Sequence, residues 1–88
     1  MEKDFEVIVY TMTNCQACLD LKDWLKEREI TFVEKDIVSN EEYETEFRKK
    51  GLMFTPTSYI DINNETHKIV GPSPKKFEKI LASKLISK

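Results

Sequence analysis

No stretch of this 88-residue chain is apolar enough to cross a membrane as a helix, which takes about 20 residues. The opening residues, "MEKDFE", are charged and acidic and do not read as a secretory signal. There is no internal repeat, low-complexity tract or linker, so a single domain over residues 1–88 is expected. Net charge is −2 and no cluster mixes Arg with aromatics, so nucleic acid is not an expected ligand. Histidine is almost absent. His67 and two cysteines fall short of the four protein ligands a structural zinc site takes, and His67, beside an expected turn, reads as an exposed strand residue. The expected compartment is the cytoplasm. Thiols there are kept reduced, so two cysteines point to catalysis or metal binding rather than to a structural staple.

What is present suits a soluble globular domain, with 40% hydrophobic and 34% charged residues. The charge is uneven. Residues 1–67 carry 8 Lys/Arg against 15 Asp/Glu, net −7; residues 68–88 carry 6 Lys against one Glu, net +5. A basic tail can steer an acidic partner. Such runs are more commonly solvated helix faces, and the Glu41–Glu46 and Lys75–Lys88 segments are read that way.

The hydrophobic pattern orders the chain into seven elements. Val7–Met12 is apolar at most positions without strict alternation, as in a strand buried on both faces. Thr13 and Asn14 break the run. Cys18, Leu21 and Leu25 then fall on one helical stripe, with Ala17 and Trp24 beside it and an end expected near Glu29. Thr31–Ile37 is a second, more polar strand nearer an edge, which completes a βαβ unit with parallel strands. "SNEEYETEFRKKG" reads as a second helix: Ser39 and Glu42 match a capping box, Tyr43 and Phe47 face inward, and Gly51 ends it. Residues 57–62 and 67–70 read as a hairpin around "NNET". Ser73 and Pro74 open a last helix whose apolar side holds Phe77, Ile80, Leu81 and Leu85. The expected architecture is α/β: a four-stranded mixed sheet in the order βαβ-α-ββα, flanked by three helices.

The two cysteines sit at the first strand–helix seam, in "NCQAC". Residues three apart on a helix lie roughly 5–6 Å apart at Cβ, close enough for a disulfide with local adjustment. At a helix start, unpaired amides and the dipole favour a thiolate at Cys15. Cys18, one turn deeper, suits a resolving thiol. A strand–CxxC–helix context is a redox signature, which weighs against two space-filling thiols. The alternative is a Cu(I)-binding, metallochaperone-like module on the same cysteines, since Cu(I) prefers soft sulfur. Copper chaperones carry Met-x-Cys-x-x-Cys, however, and Met12 precedes Cys15 by three residues rather than two. Their element order, βαββαβ, also differs.

With "VYTMTNCQAC" near one end and "FTPT" 40 residues on, the chain resembles the glutaredoxin family of the thioredoxin fold over essentially its whole length. The resemblance implies that Cys15 is the nucleophile, Cys18 the resolving cysteine, and Pro56 a cis-proline facing them. It implies that Thr55 contacts an extended substrate segment, and it makes Met12, Gln16 and Gly71 candidate substrate contacts. Glutathione-using members usually have Pro-Tyr between the cysteines, where Gln16-Ala17 stands here, and a lysine where Met12 falls. They carry Gly-Gly and then an acid near the last helix; here Gly71 is followed by Pro72, which has no N–H to offer a carboxylate. These departures argue against glutathione and toward the NrdH-type redoxins, which draw on thioredoxin reductase and supply ribonucleotide reductase. Arsenate-reductase-like regulators begin similarly, but they are longer and carry an inserted helical region.

The activity expected is therefore dithiol–disulfide exchange. The partners expected are a disulfide-bearing protein substrate and an upstream reductase such as thioredoxin reductase. No metal or organic cofactor is needed, and a monomer is expected.

Overall fold

The structure is a computed structural model that describes residues 5–85, with side chains described to Ala82. Residues 1–4 and 86–88, and the side chains of Ser83, Lys84 and Leu85, lie outside that description, so the apolar role assigned to Leu85 falls there too. In chain order the elements are β1 (Phe5–Thr11), α1 (Gln16–Glu27), β2 (Val33–Asp36), α2 (Glu41–Lys49), β3 (Thr57–Ile62), β4 (Glu65–Val70) and α3 (Pro74–Leu85). The sheet runs β2-β1-β3-β4, with β1 parallel to β2 and antiparallel to β3, and β4 antiparallel to β3. This is the mixed sheet with three helices that the pattern predicts, in the thioredoxin-fold arrangement.

Alternation along β1 divides the core in two. Val7 and Val9 face one side with Ile60, Ile62, Ile69, Leu21, Leu25 and Phe77, all buried. Ile8 and Tyr10 face the other, where Tyr10 packs with Phe47 and Leu52. Helices α1 and α3 thus cover one face and α2 the other. Between α1 and α3, Trp24 and Phe77 stack at 5.9 Å, and the Arg28 guanidinium lies over Trp24 while pairing with Glu78. On the α2 side the Tyr10 hydroxyl donates to Glu46 Oε1 at 2.9 Å, and Lys35 Nζ sits 3.0 Å from the same oxygen. Burial first, and then the carboxylate, push the Tyr10 hydroxyl well above the ordinary tyrosine range; the Lys35 hydrogen bond holds Glu46 below the ordinary glutamate range.

Several boundaries differ from the sequence pattern, each for a local reason. β1 begins at Phe5 and stops at Thr11, leaving Met12 exposed beyond the strand. α2 is capped by Asn40, whose Oδ1 accepts the Tyr43 N–H at 3.1 Å, not by Ser39. The Ser39 N–H is instead drawn to Asp36 Oδ1 at 3.2 Å, in the turn that leaves β2. The hairpin turn is Asn63-Asn64 alone, with φ of 54° and 63°, so Glu65 and Thr66 join β4. Two positive φ values in a two-residue loop make the turn whose twist matches the flanking strands, and asparagine tolerates it. β2 is four residues long and lies at the sheet edge, as its polarity suggests.

Candidate active site

The parallel pairing of β1 with β2 carries the chain from the sheet centre up to the start of α1. Thr11 closes β1, and its carbonyl accepts the Ile37 N–H at 2.9 Å. The Thr13 hydroxyl reaches Asp36 Oδ2 at 3.3 Å, which ties the turn to the end of β2. Asn14 adopts φ 62°, reversing the chain so that Cys15 follows in extended conformation as the N-cap of α1. Below the turn the Thr11 hydroxyl donates to Glu34 Oε2 at 2.7 Å, beside Lys22 Nζ at 2.8 Å. Burial alone would raise the Glu34 carboxyl; the hydrogen bonds from Lys22 and Thr11 outweigh it and hold the group below the glutamate range.

Cys15 and Cys18 are joined as a disulfide, with Cα atoms 5.2 Å apart. A serine or aspartate oxygen would ordinarily accept an amide at an N-cap. Here Cys15 Sγ does so, taking the Cys18 N–H at 3.1 Å, while the Cys15 carbonyl accepts the Leu19 N–H at 3.1 Å. The two sulfurs have unlike surroundings. Cys15 is half-buried, whereas Cys18 is 1% exposed and lies on the stripe with Leu21 and Leu25.

The segment before β3 closes over the pair. The Thr55–Pro56 peptide is cis, and Pro56 is fully buried. The Thr55 carbonyl oxygen lies 4.0 Å from Cys15 Sγ. The Thr55 hydroxyl is 3.8 Å from the same sulfur and donates to Met12 Sδ at 3.5 Å. The Pro56 carbonyl accepts the Gly71 N–H at 2.8 Å, which draws the β4–α3 turn against the same segment. Gly71 has φ 90°, a conformation a side chain would oppose.

Of the candidate residues, Cys15, Cys18, Thr55, Pro56, Met12 and Gly71 are thus linked in one place. Gln16 is exposed between the cysteines, but its Nε2 donates to Asp20 Oδ1 at 2.9 Å, so its amide points along α1. His67 is elsewhere, on β4, partly buried and paired with Glu65. The hydrophobic pattern does not single out Met53 and Phe54. They are 80% and 64% exposed, immediately before Thr55, and with Val70 they line a largely apolar groove bounded by Gly51, Leu52, Thr57 and Lys68. They fit no helical or strand period, and that was the signal that they face outward.

The sequence model of the glutaredoxin family matches residues 7–64. Among curated proteins, the global transcriptional regulator Spx 2 of Bacillus cereus is 50% identical over 34 residues, which is 39% of this chain and 26% of that protein. Its counterpart in Bacillus anthracis is 47% identical over the same shares. The matched segment thus spans about a quarter of these relatives. Among solved structures, thioredoxin of Schistosoma mansoni is 25% identical with a TM-score of 0.72, covering 93% of this chain and 80% of that one. Spinach chloroplast thioredoxin f, at 17% identity, has a TM-score of 0.74 over 93% and 77%. The thioredoxin-like protein BC3987 is 23% identical with a TM-score of 0.68, covering 86% of this chain and all of that one.

Proposed function

The chain belongs to the glutaredoxin family, and from that premise we propose that it is a dithiol–disulfide oxidoreductase acting on protein disulfides through Cys15 and Cys18. The observation that carries this reading is the disulfide at the first turn of α1, with the Cys18 amide directed at Cys15 Sγ. An amide donor and a helix N-terminus both favour the thiolate once the bond opens.

The reduced Cys15 thiolate attacks one sulfur of a substrate disulfide. The substrate bond breaks, its other sulfur leaves as a thiolate that takes a proton, and Cys15 is held as a mixed disulfide. Cys18 then gives up its proton and attacks Cys15 Sγ, reforming the intramolecular bond and releasing the second substrate thiol. Two electrons and two protons have passed to the substrate. Thr55 is the backbone position against which an extended substrate segment lies, and exposed Met12, joined to the Thr55 hydroxyl, and Phe54, next to it in the chain, favour apolar flanks on that segment.

Resetting the pair requires an upstream donor, and the turn after β4 speaks against glutathione. The Gly71 N–H is committed to Pro56, Pro72 has none, and the Ser73 N–H donates to the Gly71 carbonyl at 3.1 Å. No amide of 71–73 is left to receive a glutathione carboxylate. A flavoprotein of the thioredoxin reductase class fits better, with ribonucleotide reductase as the acceptor and a reducing cytoplasm as the setting for a monomeric carrier. The test is donor choice. Oxidised protein is offered NADPH with thioredoxin reductase, and separately glutathione with its reductase. Reduction at least about tenfold faster in the first arm is expected, corresponding to roughly 1.4 kcal/mol in barrier height. Equal or faster turnover with glutathione overturns the donor assignment.

A further inference from the structure

Disulfide exchange uses two sulfurs, but this site brings three together. Met12 lies just past β1, 41% exposed, with Sδ 3.5 Å from the Thr55 hydroxyl; that hydroxyl is 3.8 Å from Cys15 Sγ. A single hydroxyl therefore neighbours both the Met12 thioether and Cys15 Sγ. Hard ligands are committed elsewhere: Glu34 binds Lys22 and Thr11, and Asp36 binds Thr13 and the amides of Val38 and Ser39. Among the described residues no group of three or more His, Cys, Asp or Glu converges. Apart from the neutral oxygens of Thr55, the donors at the site are sulfur.

We propose that the reduced pair together with Met12 forms a three-sulfur site for a closed-shell thiophilic cation, copper(I). Such a cation takes two or three soft ligands, whereas zinc in a structural site takes four. Opening the disulfide frees two sulfurs on residues whose Cα atoms lie 5.2 Å apart. Met12 is exposed and unbranched, with three rotatable bonds, so its sulfur can swing from the Thr55 hydroxyl to a metal on the pair. The charge and proton balance is simple. A dithiol reductant supplies two electrons and two protons to open the bond, and copper(I) then displaces both thiol protons. Two thiolates, one neutral thioether and one monovalent cation leave a single negative charge. That charge faces the Cys18 amide and the start of α1, where a helix favours anions. Copper is neither oxidised nor reduced, and its binding is exclusive with disulfide exchange because it occupies the same sulfurs. The inference rests on the exchange reading only in that the pair must open.

The whole chain, reduced and freed of reductant under anaerobic conditions, is titrated with copper(I) held by bicinchoninate, and the sulfur count is read by X-ray absorption. One equivalent bound by three sulfurs is expected. In Met12→Leu the count falls to two and binding weakens by about tenfold or more, as loss of a supporting group at metal sites does. Two sulfurs in the parent, or an affinity unchanged in Met12→Leu, overturns the proposal. Disulfide exchange by the metal-free parent is measured in parallel. Exchange with a two-sulfur copper site sinks this inference alone; three-sulfur binding without exchange sinks the oxidoreductase reading alone.

Discussion

Cys15 and Cys18 are the same residue type in different surroundings, and that difference assigns their roles. Cys15 sits at a cap with its sulfur on an amide, half-buried and facing Thr55; Cys18 is buried one turn down. Cys15→Ser is expected to abolish exchange. Cys18→Ser is expected to retain the first attack and accumulate a mixed disulfide, visible as a mass adduct that reductant removes. Full turnover of protein disulfides by Cys18→Ser would remove its resolving role. A second residue-scale expectation concerns Ser58, which is buried on β3 opposite Val9 with no hydrogen-bond partner for its hydroxyl among the described residues. An unsatisfied buried hydroxyl costs about 1–3 kcal/mol, so Ser58→Ala is expected to stabilise the protein, or at worst to be neutral. Chemical denaturation checks this, and a clear loss of stability would mean that the hydroxyl has a partner. Cys15 and Cys18 are legible in the chain from their spacing and strand–helix context, whereas Thr55 and Pro56 enter only through the family resemblance. Met12 is legible as a departure from a family lysine and from the copper-chaperone spacing. That its sulfur meets the Thr55 hydroxyl depends on bringing together residues 43 positions apart, and no local pattern encodes it.

Helix ends show the same contrast between local and distant information. α2 stops at Gly51, φ 73°, with the Gly51 N–H on the Arg48 carbonyl and the Leu52 N–H on the Phe47 carbonyl. α1 ends with the same pair of bonds, Glu29 to Lys26 and Ile30 to Leu25, but Glu29 holds the left-handed position at φ 58°. Glycine marks the end of α2 and nothing marks that of α1, so the hydrophobic pattern runs on to near Glu29, two residues past the end of α1 at Glu27. Left-handed backbone costs a residue with a Cβ about 1–2 kcal/mol, partly offset by the extra freedom glycine gives the unfolded chain. Glu29→Gly is therefore expected to raise stability by up to about 1 kcal/mol. Asn40→Ala removes the working cap of α2 and is expected to cost about 0.5–2 kcal/mol, with Ser39→Ala the milder change. The Thr11–Glu34–Lys22 bonds join β1, β2 and α1. Because the folded Glu34 carboxyl is held below its unfolded value, its contribution is present above the unfolded pKa, near about 4.3, and lost as pH falls through the lower folded value. Glu34→Gln is thus expected to be less stable than the parent at pH 7 by under about 1 kcal/mol, allowing for solvent screening, with the gap closing in acid. Urea melts at pH 7 and pH 3 measure the difference.

At the scale of the whole molecule, the question is whether the disulfide holds the fold together or rides on a fold that stands without it. The two core clusters answer for the second. Val7, Val9, Leu21, Leu25, Ile60, Ile62, Ile69 and Phe77 on one face, and Tyr10, Phe47 and Leu52 on the other, include neither cysteine. The bond closes a loop of four residues, which in the chain-entropy treatment is worth about 2 kcal/mol. Opening it returns something: the Cys18 amide then meets a thiolate rather than a disulfide sulfur, and a charge-assisted hydrogen bond is the stronger one. The reduced protein is therefore expected to unfold in one cooperative step, with Tm lower than the oxidised form by no more than about 10 °C, since 1 kcal/mol moves a domain of this size by about 4–8 °C. Whatever gap is found must agree with the reduction potential, because destabilising the reduced fold by about 1.4 kcal/mol makes the folded pair about 30 mV more reducing than the unfolded one. Thermal melts with and without reductant, set beside potentials of the native and urea-unfolded chain, test both statements. Loss of the cooperative transition on reduction would make Cys15–Cys18 a structural staple, and a bond the fold cannot spare is one the protein cannot open and close in each catalytic cycle.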